Sequence, residues 1–305
     1  MSHAPIPLYA LSGFVGSGKT TALLGILKKY PEKKIGVIFT EPAAYIKESD
    51  DISIECLDNG SLQCICEEEA LPQALQFMSD CQPELVLVEI SGLSDPLRIE
   101  QMLDREQNSA CMAAYDKKGI ICLVDADNFM EQIGDVEMVK HQLSHCHLAV
   151  INKADLVAPE LLTVLKAQIR RINPDCEISS CSYGGFGLEL LDHDLMSHTT
   201  QPLDSTGSAL NPDSIVLNCP CRMERQKVVE FISRFLDRTY RIKGFCLLED
   251  GWNQIDVVGS KITLSPCVPH SSSRLIFISK IGHALSEPLR QSWEELVGLP
   301  MQLHD

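Results

Sequence analysis

GFVGSGKT, residues 13–20, decides the fold of this chain. Gly13, Gly18, Lys19 and Thr20 match the spacing G-x-x-x-x-G-K-[ST]. The run before it, IPLYALS at 6–12, is apolar and reads as a buried strand. Residues 19–30 carry helical spacing. A strand, a glycine-rich loop and a helix in that order form a phosphate cradle. Glycines let the backbone curl until its N–H groups point inward at phosphate oxygens, and the helix N-terminus adds positive potential. In this reading Gly13, Val15, Gly16, Ser17, Gly18, Lys19, Thr20 and Thr21 surround the phosphates. Lys19 reaches the β- and γ-phosphates, and the Thr20 hydroxyl ligates Mg²⁺.

The same alternation continues outward. IGVIFT at 35–40, ELVLVEIS at 84–91, GIICLVD at 119–125 and HLAVIN at 147–152 are nearly continuous apolar runs. Such runs suit parallel strands buried on both faces. Helical spacing fills 70–81, 97–112, 127–146 and 159–172. The pattern predicts an α/β fold with a doubly wound, mostly parallel sheet. It breaks in the polar stretch DHDLMSHTTQPLDSTGSALNP, 192–213, which reads as a linker. The expected domains are therefore 1–195 and 213–305, joined by 196–212. A strand at 214–219, a helix at 223–239 and a β-rich end predict a smaller α+β second domain.

Composition narrows the function. The chain has 305 residues and a formal net charge of −16, which argues against nucleic acid, whose phosphates need clustered Lys and Arg. No apolar run approaches the roughly 18 residues of a membrane span, and the first residues lack the basic and apolar regions of a signal peptide. The expected location is the cytoplasm. There, most of the 13 cysteines act as small buried hydrophobes. The close pairs Cys64 with Cys66 and Cys219 with Cys221 stand out.

NKAD at 152–155 follows the last predicted strand of the first domain. The Asp155 carboxylate can accept two hydrogen bonds from guanine N1–H and its amino group, where adenine presents an acceptor instead. Asn152 supports the site, and the Lys153 stem can cover the base. SSC at 179–181 is the next loop in reach of it. This motif argues against a kinase-like phosphotransferase using the same phosphate loop. Glu89, closing an apolar strand, is placed to hold Mg²⁺ through water.

Taken in order, GFVGSGKTT, EISGLSDP at 89–96, VDADNF at 124–129 and NKADL resemble the CobW-type P-loop GTPases, relatives of the nickel chaperones UreG and HypB. YRIKGF at 240–245, GWNQIDVVG and RLIFIS are similar to that family's C-terminal domain, so the resemblance covers nearly the whole chain. It implies GTP hydrolysis coupled to metal delivery, or to maturation of a metal cofactor such as cobalamin. It also implies that Glu89 is the Walker B-type acid and that Gly92 senses a γ-phosphate. TEPA at 40–43 occupies the place of a switch segment and retains Glu41. No water-positioning Gln or arginine finger is legible, so slow intrinsic hydrolysis is expected.

The family's G-C-x-C-C signature is altered here. Aligned without a gap, NGSLQC puts Ser61 and Gln63 where cysteines would stand and keeps Cys64; a shift of three residues recovers Cys64 and Cys66. In an extended segment, residues two apart point to the same side, so both thiols can converge on Zn²⁺ or Co²⁺, with Glu41, Glu67 or Glu68 adding oxygen. His141, His145, Cys146 and His147 form a second candidate cluster, and Cys219 with Cys221 a third. Two functions stay open. One is a GTPase that delivers a metal or metal cofactor to a client metalloprotein or corrinoid protein, with a homodimer possible. The other is a regulatory GTP-binding module without its own metal site.

Overall fold

The computed structural model describes residues 4–40, 52–57, 59–66, 68–92, 94–105, 112–135, 137–187, 195 and 214–304. The chain divides into two compact units, Met1–Leu210 and Asn211–Asp305. The expected linker, 196–212, lies outside the described residues, as do Glu41 and Glu67. No described helix is long and apolar enough to cross a membrane.

The first unit is built on β1 (Ile6–Ser12), α1 (Lys19–Lys29), β2 (Ile35–Thr40), β3 (Ile52–Cys56), β4 (Leu62–Cys66), α2 (Leu71–Cys81) and β5 (Leu85–Glu89). It continues with α3 (Pro96–Arg105), β6 (Tyr115–Asp125), α4 (Phe129–Asp135), α5 (Glu137–Ser144), β7 (Leu148–Asn152), α6 (Pro159–Ile172) and β8 (Glu177–Ser180). The strands form one sheet in the order β3-β4-β2-β5-β1-β6-β7-β8. Every neighbouring pair is parallel except β3 with β4. The order jumps outward from β1 in both directions, so the loops after β1, β5, β7 and β8 all open at the carboxyl edge, where such sheets bind ligands. Leu11, Leu23, Ile26, Leu87, Leu123 and Val150 pack one continuous core beneath that edge.

Three local expectations change. Residues 62–66, absent from the strands expected above although the pairing of the two thiols supposes an extended segment, are a strand held between β2 and β3. The short-period pattern of LQCIC, buried at Leu62, Cys64 and Cys66, carries it. The helix expected over 127–146 is two helices, with Gly134 near the break, and Gly disfavours helix interiors. The helix expected over 223–239 ends at Ser233, because the β-favouring run TYRIKGF enters a strand at Thr239.

The second unit holds β9 (Ser214–Cys219), α7 (Arg225–Ser233), β10 (Thr239–Leu248), β11 (Gly251–Val258), β12 (Lys261–Pro266), β13 (Ser273–Ser279), α8 (Ser286–Leu296) and β14 (Gln302–His304). Its sheet, β12-β11-β10-β13-β9-β14, is antiparallel throughout. Phe231 of α7 meets Trp293 of α8 edge-on at 5.1 Å and Phe277 of β13 at 5.9 Å. Such ring pairs add to the area buried by the rings. The YRIKGF segment is built into β10. Arg241 grips Asp256 through two hydrogen bonds of 2.9 Å. At Gly244 a methyl group would run into the carbonyl oxygen of Arg274 on the neighbouring strand. Gly244→Ala is therefore expected to destabilise this unit by about 1–3 kcal/mol, the usual range for overpacking. Chemical denaturation followed by the fluorescence of Trp252 and Trp293, both in this unit, would show it as a lowered midpoint; an unchanged midpoint would contradict the close approach.

Candidate functional site

The loop between β1 and α1 has the backbone its glycines permit. Gly13, Gly16 and Gly18 have φ of 132°, 85° and 96°. A side chain at Gly13 would strike the Leu123 carbonyl, and one at Gly18 would strike the Asn152 carboxamide. Lys19, buried at the start of α1, donates from Nζ to the carbonyls of Gly13 at 2.6 Å and Phe14 at 3.3 Å. The ammonium thus already points into the ring its own loop makes. The Ser17 hydroxyl is buried and makes no hydrogen bond among the described residues. The first turn of α1 carries no acidic residue to neutralise the helix N-terminus. Anionic oxygens fit this cradle. Val15 is buried within the loop, and Thr21 is exposed in the first turn of α1.

Thr20 and Glu89 come together from different elements. The Thr20 hydroxyl donates to Glu89 Oε1 at 2.9 Å. Two hard oxygens so placed are the donor type that Mg²⁺ requires. Thr40, the first residue of TEPA, ends β2. Its hydroxyl donates to the Glu89 carbonyl at 2.9 Å and accepts from the Ser91 amide at 3.1 Å. It thereby fixes the chain on both sides of Glu89. Gly92 lies against the phosphate loop: a methyl there would sit 2.8 Å from the Val15 nitrogen. Its carbonyl accepts from Gln142 of α5 at 3.1 Å.

Asn152 joins these parts. Its Nδ2 donates to the Ser17 carbonyl at 2.8 Å. Its Oδ1 accepts from its neighbour's amide at Lys153 and from the Gly184 amide, each at 2.8 Å, and from the Cys181 thiol at 3.5 Å. Lys153 has φ 61°, and its ammonium donates to Asp125 Oδ2 at 2.7 Å. Asp125 also accepts from the Asp127 amide and the Asn128 side chain. Its role was missed in the sequence, although VDADNF was visible as a motif; only the fold shows that β6 and β7 end side by side, Asp125 opposite Asn152. Asp155 stands exposed on a short turn, Ala154–Leu156. Of SSC, Ser179 and Ser180 close β8 and Cys181 begins the loop. Burial pushes the Cys181 thiol up to about 11, and the charge of Asp155 adds to the shift. The thiol therefore stays protonated, as a donor to Asn152, across neutral pH.

The cysteine pair is brought together and covered. Cys64 and Cys66 are both fully buried on one face of β4. A hydrogen bond from Cys66 lowers the Cys64 thiol from its ordinary value despite burial. Two thiolates suit a thiophilic ion, but among the described residues no group of three or more Cys, His, Asp or Glu is arranged to hold a metal. Glu68, a candidate oxygen donor, accepts from the Ser94 hydroxyl at 2.8 Å. Ser61 holds the start of β2: its hydroxyl accepts from the Ile35 amide and donates to the Lys33 carbonyl. The other clusters have structural partners. His141 meets Asp95 at 3.1 Å, and its ring lies 4.6 Å from that of His145. His147 Nδ1 accepts from the Ile120 amide, and the Cys146 thiol donates to the Leu143 carbonyl. Cys219 is buried in the core of the second unit, and Cys221 packs against that core.

A phosphate loop, an acid at the end of a neighbouring strand and an N-K-x-D turn at the carboxyl edge of one sheet define a P-loop nucleotide-binding domain. The family model of the CobW/HypB/UreG nucleotide-binding domain matches residues 7–180, over half of the chain, and the chain belongs to that family. It is 26% identical over 207 residues to the zinc-regulated GTPase metalloprotein activator 1 of Schizosaccharomyces pombe, a match covering 62% of this chain and 49% of that protein. It is 28% identical to the zinc chaperone YjiA of Escherichia coli, covering 61% of each. The chain thus spans about half the length of the yeast relative it matches. The crystal structure of Zn(II)-bound YjiA GTPase from E. coli superposes with a TM-score of 0.52 at 24% identity, covering 96% of this chain and 99% of that one. That likeness supports the shared fold.

Removing the Asn152 carboxamide strands a buried carbonyl and a buried amide, each costing about 1–3 kcal/mol. Asn152→Ala is expected to lower the thermal midpoint and to raise the nucleotide Kd at least tenfold, read by calorimetry. Wild-type affinity in a folded Asn152→Ala protein would show that the loops hold each other without it.

Proposed function

We propose that this chain binds GTP with Mg²⁺, hydrolyses it slowly, and uses nucleotide state to control delivery of a metal ion to a client metalloprotein. One observation carries the reading: the Asn152 side chain ties the phosphate loop to the Lys153–Asp155 turn. That arrangement lets one ligand with a polyphosphate and a purine engage both. Lys19 would exchange the carbonyls of Gly13 and Phe14 for phosphate oxygens. The loop amides, Ser17 and Thr21 would orient the phosphates, and Gly92 would approach the terminal one. Thr20 and Glu89 would hold Mg²⁺, which supplies neutralisation of developing charge. Asp155 would read the guanine edge. In this reading residues 1–195 form the nucleotide domain, 196–212 link it to 213–305, and the protein works in the cytoplasm.

The cargo ion is Zn²⁺ in preference to Co²⁺, supported by the names of the relatives. Cys64 and Cys66 would be its thiolate ligands, and Glu41 a further donor. A regulatory module without its own metal site is the second reading. It is favoured by the burial of both thiols and by the engagement of Glu68 with Ser94.

Two outcomes test the proposal. GTP is expected to bind far more tightly than ATP, and Asp155→Asn to move preference toward xanthosine nucleotides, because an acceptor gains a donor. Equal Kd values for GTP and ATP in competition assays would sink the guanine assignment. Linkage also requires metal and nucleotide to affect each other's affinity by one common factor, about 5–150-fold for a coupling of about 1–3 kcal/mol. Zn²⁺ is therefore expected to bind more tightly with a non-hydrolysable GTP analogue than with GDP, in titrations against a chromogenic chelator. The double substitution Cys64→Ser, Cys66→Ser should abolish that difference and spare GTP binding. Equal Zn²⁺ affinity in both nucleotide states would favour the regulatory reading.

A further inference from the structure

Among the described residues only three that are not glycine have positive φ: Gln82, Lys153 and Tyr183. Two of them stand in the loops after β7 and β8, and both loops are held by Asn152. Tyr183 is the more demanding case. A bulky aromatic with φ 55° is held in a region that costs energy, and such outliers collect at functional sites. The next two residues are Gly184 and Gly185, while position 183 itself is not glycine. Yet the ring gains nothing from the fold, since Tyr183 is 80% exposed.

Its position is fixed on every side. Gly185 closes a turn onto the Ser182 carbonyl at 2.9 Å. Gly184 donates to Asn152 at 2.8 Å and fits tightly against α1, where a methyl would lie 2.7 Å from the Ala22 Cα. On the other side the Ala154 amide donates to the Cys181 carbonyl at 3.1 Å. The turn bearing Tyr183 therefore lies between the first turns of α1 and the loop that carries Asp155. A rigid turn that presents a strained, exposed ring there matches a flat, π-rich ligand.

We propose that Tyr183 is a base-binding residue whose ring stacks on the purine of the bound guanine nucleotide. Asp155 reads the edge of the base, and Tyr183 covers a face, which gives affinity without sequence of donors and acceptors to discriminate. The inference rests on the guanine reading of Asp155. Base–aromatic stacking is commonly about 1–3 kcal/mol, or about 5–150-fold in Kd.

The test uses the full chain, calorimetry, and the probes GDP and IDP, which lacks the 2-amino group. Tyr183→Ala should weaken both nucleotides by the same 5–150-fold and leave their ratio unchanged. Tyr183→Phe should stay within about twofold of the parent. Tyr183→Gly should lose affinity as Tyr183→Ala does while its Tm stays level or rises, because glycine relieves the positive φ. Unchanged GDP affinity in Tyr183→Ala would overturn the proposal, as would Tyr183→Phe falling as far as Tyr183→Ala. So would a loss of Tm in Tyr183→Gly that parallels the lost affinity. A GDP-to-IDP ratio near one in the parent chain would instead count against Asp155 and leave the stacking result to be read by itself.

Discussion

The nucleotide edge of the first unit depends on one buried carboxamide. Asn152 has to give a hydrogen bond to the Ser17 carbonyl and receive others from Lys153, Gly184 and Cys181 at the same time. Aspartate would lack the donor, and leucine of similar size would leave both sides unsatisfied in a region closed to water. The constraint reaches back to the phosphate loop. The carboxamide approaches Gly18 so closely that any side chain at 18 would collide with it. Gly18 is thus fixed twice, by its φ of 96° and by the group that crosses above it. The glycine of the loop and the asparagine of the turn are one solution to one packing problem, although they lie far apart in sequence.

Asp125 extends the same logic to Lys153. The carboxylate is almost wholly buried, which is expensive for an isolated charge. Here three donors reach it: the Asp127 amide, the Asn128 side chain and the Lys153 ammonium. The ion pair anchors the Lys153 ammonium, at a residue whose backbone is left-handed. Removing Asp125 would free the stem and release a strained residue directly beside Asn152.

The core of the fold was legible because its signals are local. A glycine-rich loop between an apolar strand and a helix fixes its own backbone, and the five apolar runs in the first unit all became strands of its sheet. What could not be read depends on neighbours distant in sequence. Thr40 looks unremarkable until β2 and β5 lie side by side, when its hydroxyl reaches both the Glu89 carbonyl and the Ser91 amide. Tyr183 gives no sequence signal at all, because positive φ in a tyrosine is a property of the folded turn, next to a Gly184 that donates to Asn152. LQCIC did not stand out as a strand of the sheet because polar residues flank it and its alternation is short. It became a strand through pairing on both edges.

The placement of that strand gives nucleotide and thiols a physical connection. Cys66 sits opposite Thr40 in the β2–β4 register, and Thr40 grips the chain around Glu89. Beyond β4, Glu68 holds Ser94, two residues after the Gly92 that closes on Val15. Gln142 of α5 braces the same stretch through the carbonyls of Gly92 and Ser94. A displacement of Ser94 therefore stretches a hydrogen bond to the segment that follows the thiols. Both thiols are fully buried, so a hydrated ion reaches them only if the packing over β4 opens. The Glu68–Ser94 bond is one of the contacts that oppose such opening. In the proposed cycle, a nucleotide that draws Gly92 toward its terminal phosphate would load or release this contact first. Metal access would then be governed by whether β4 is covered, as well as by the identity of its ligands.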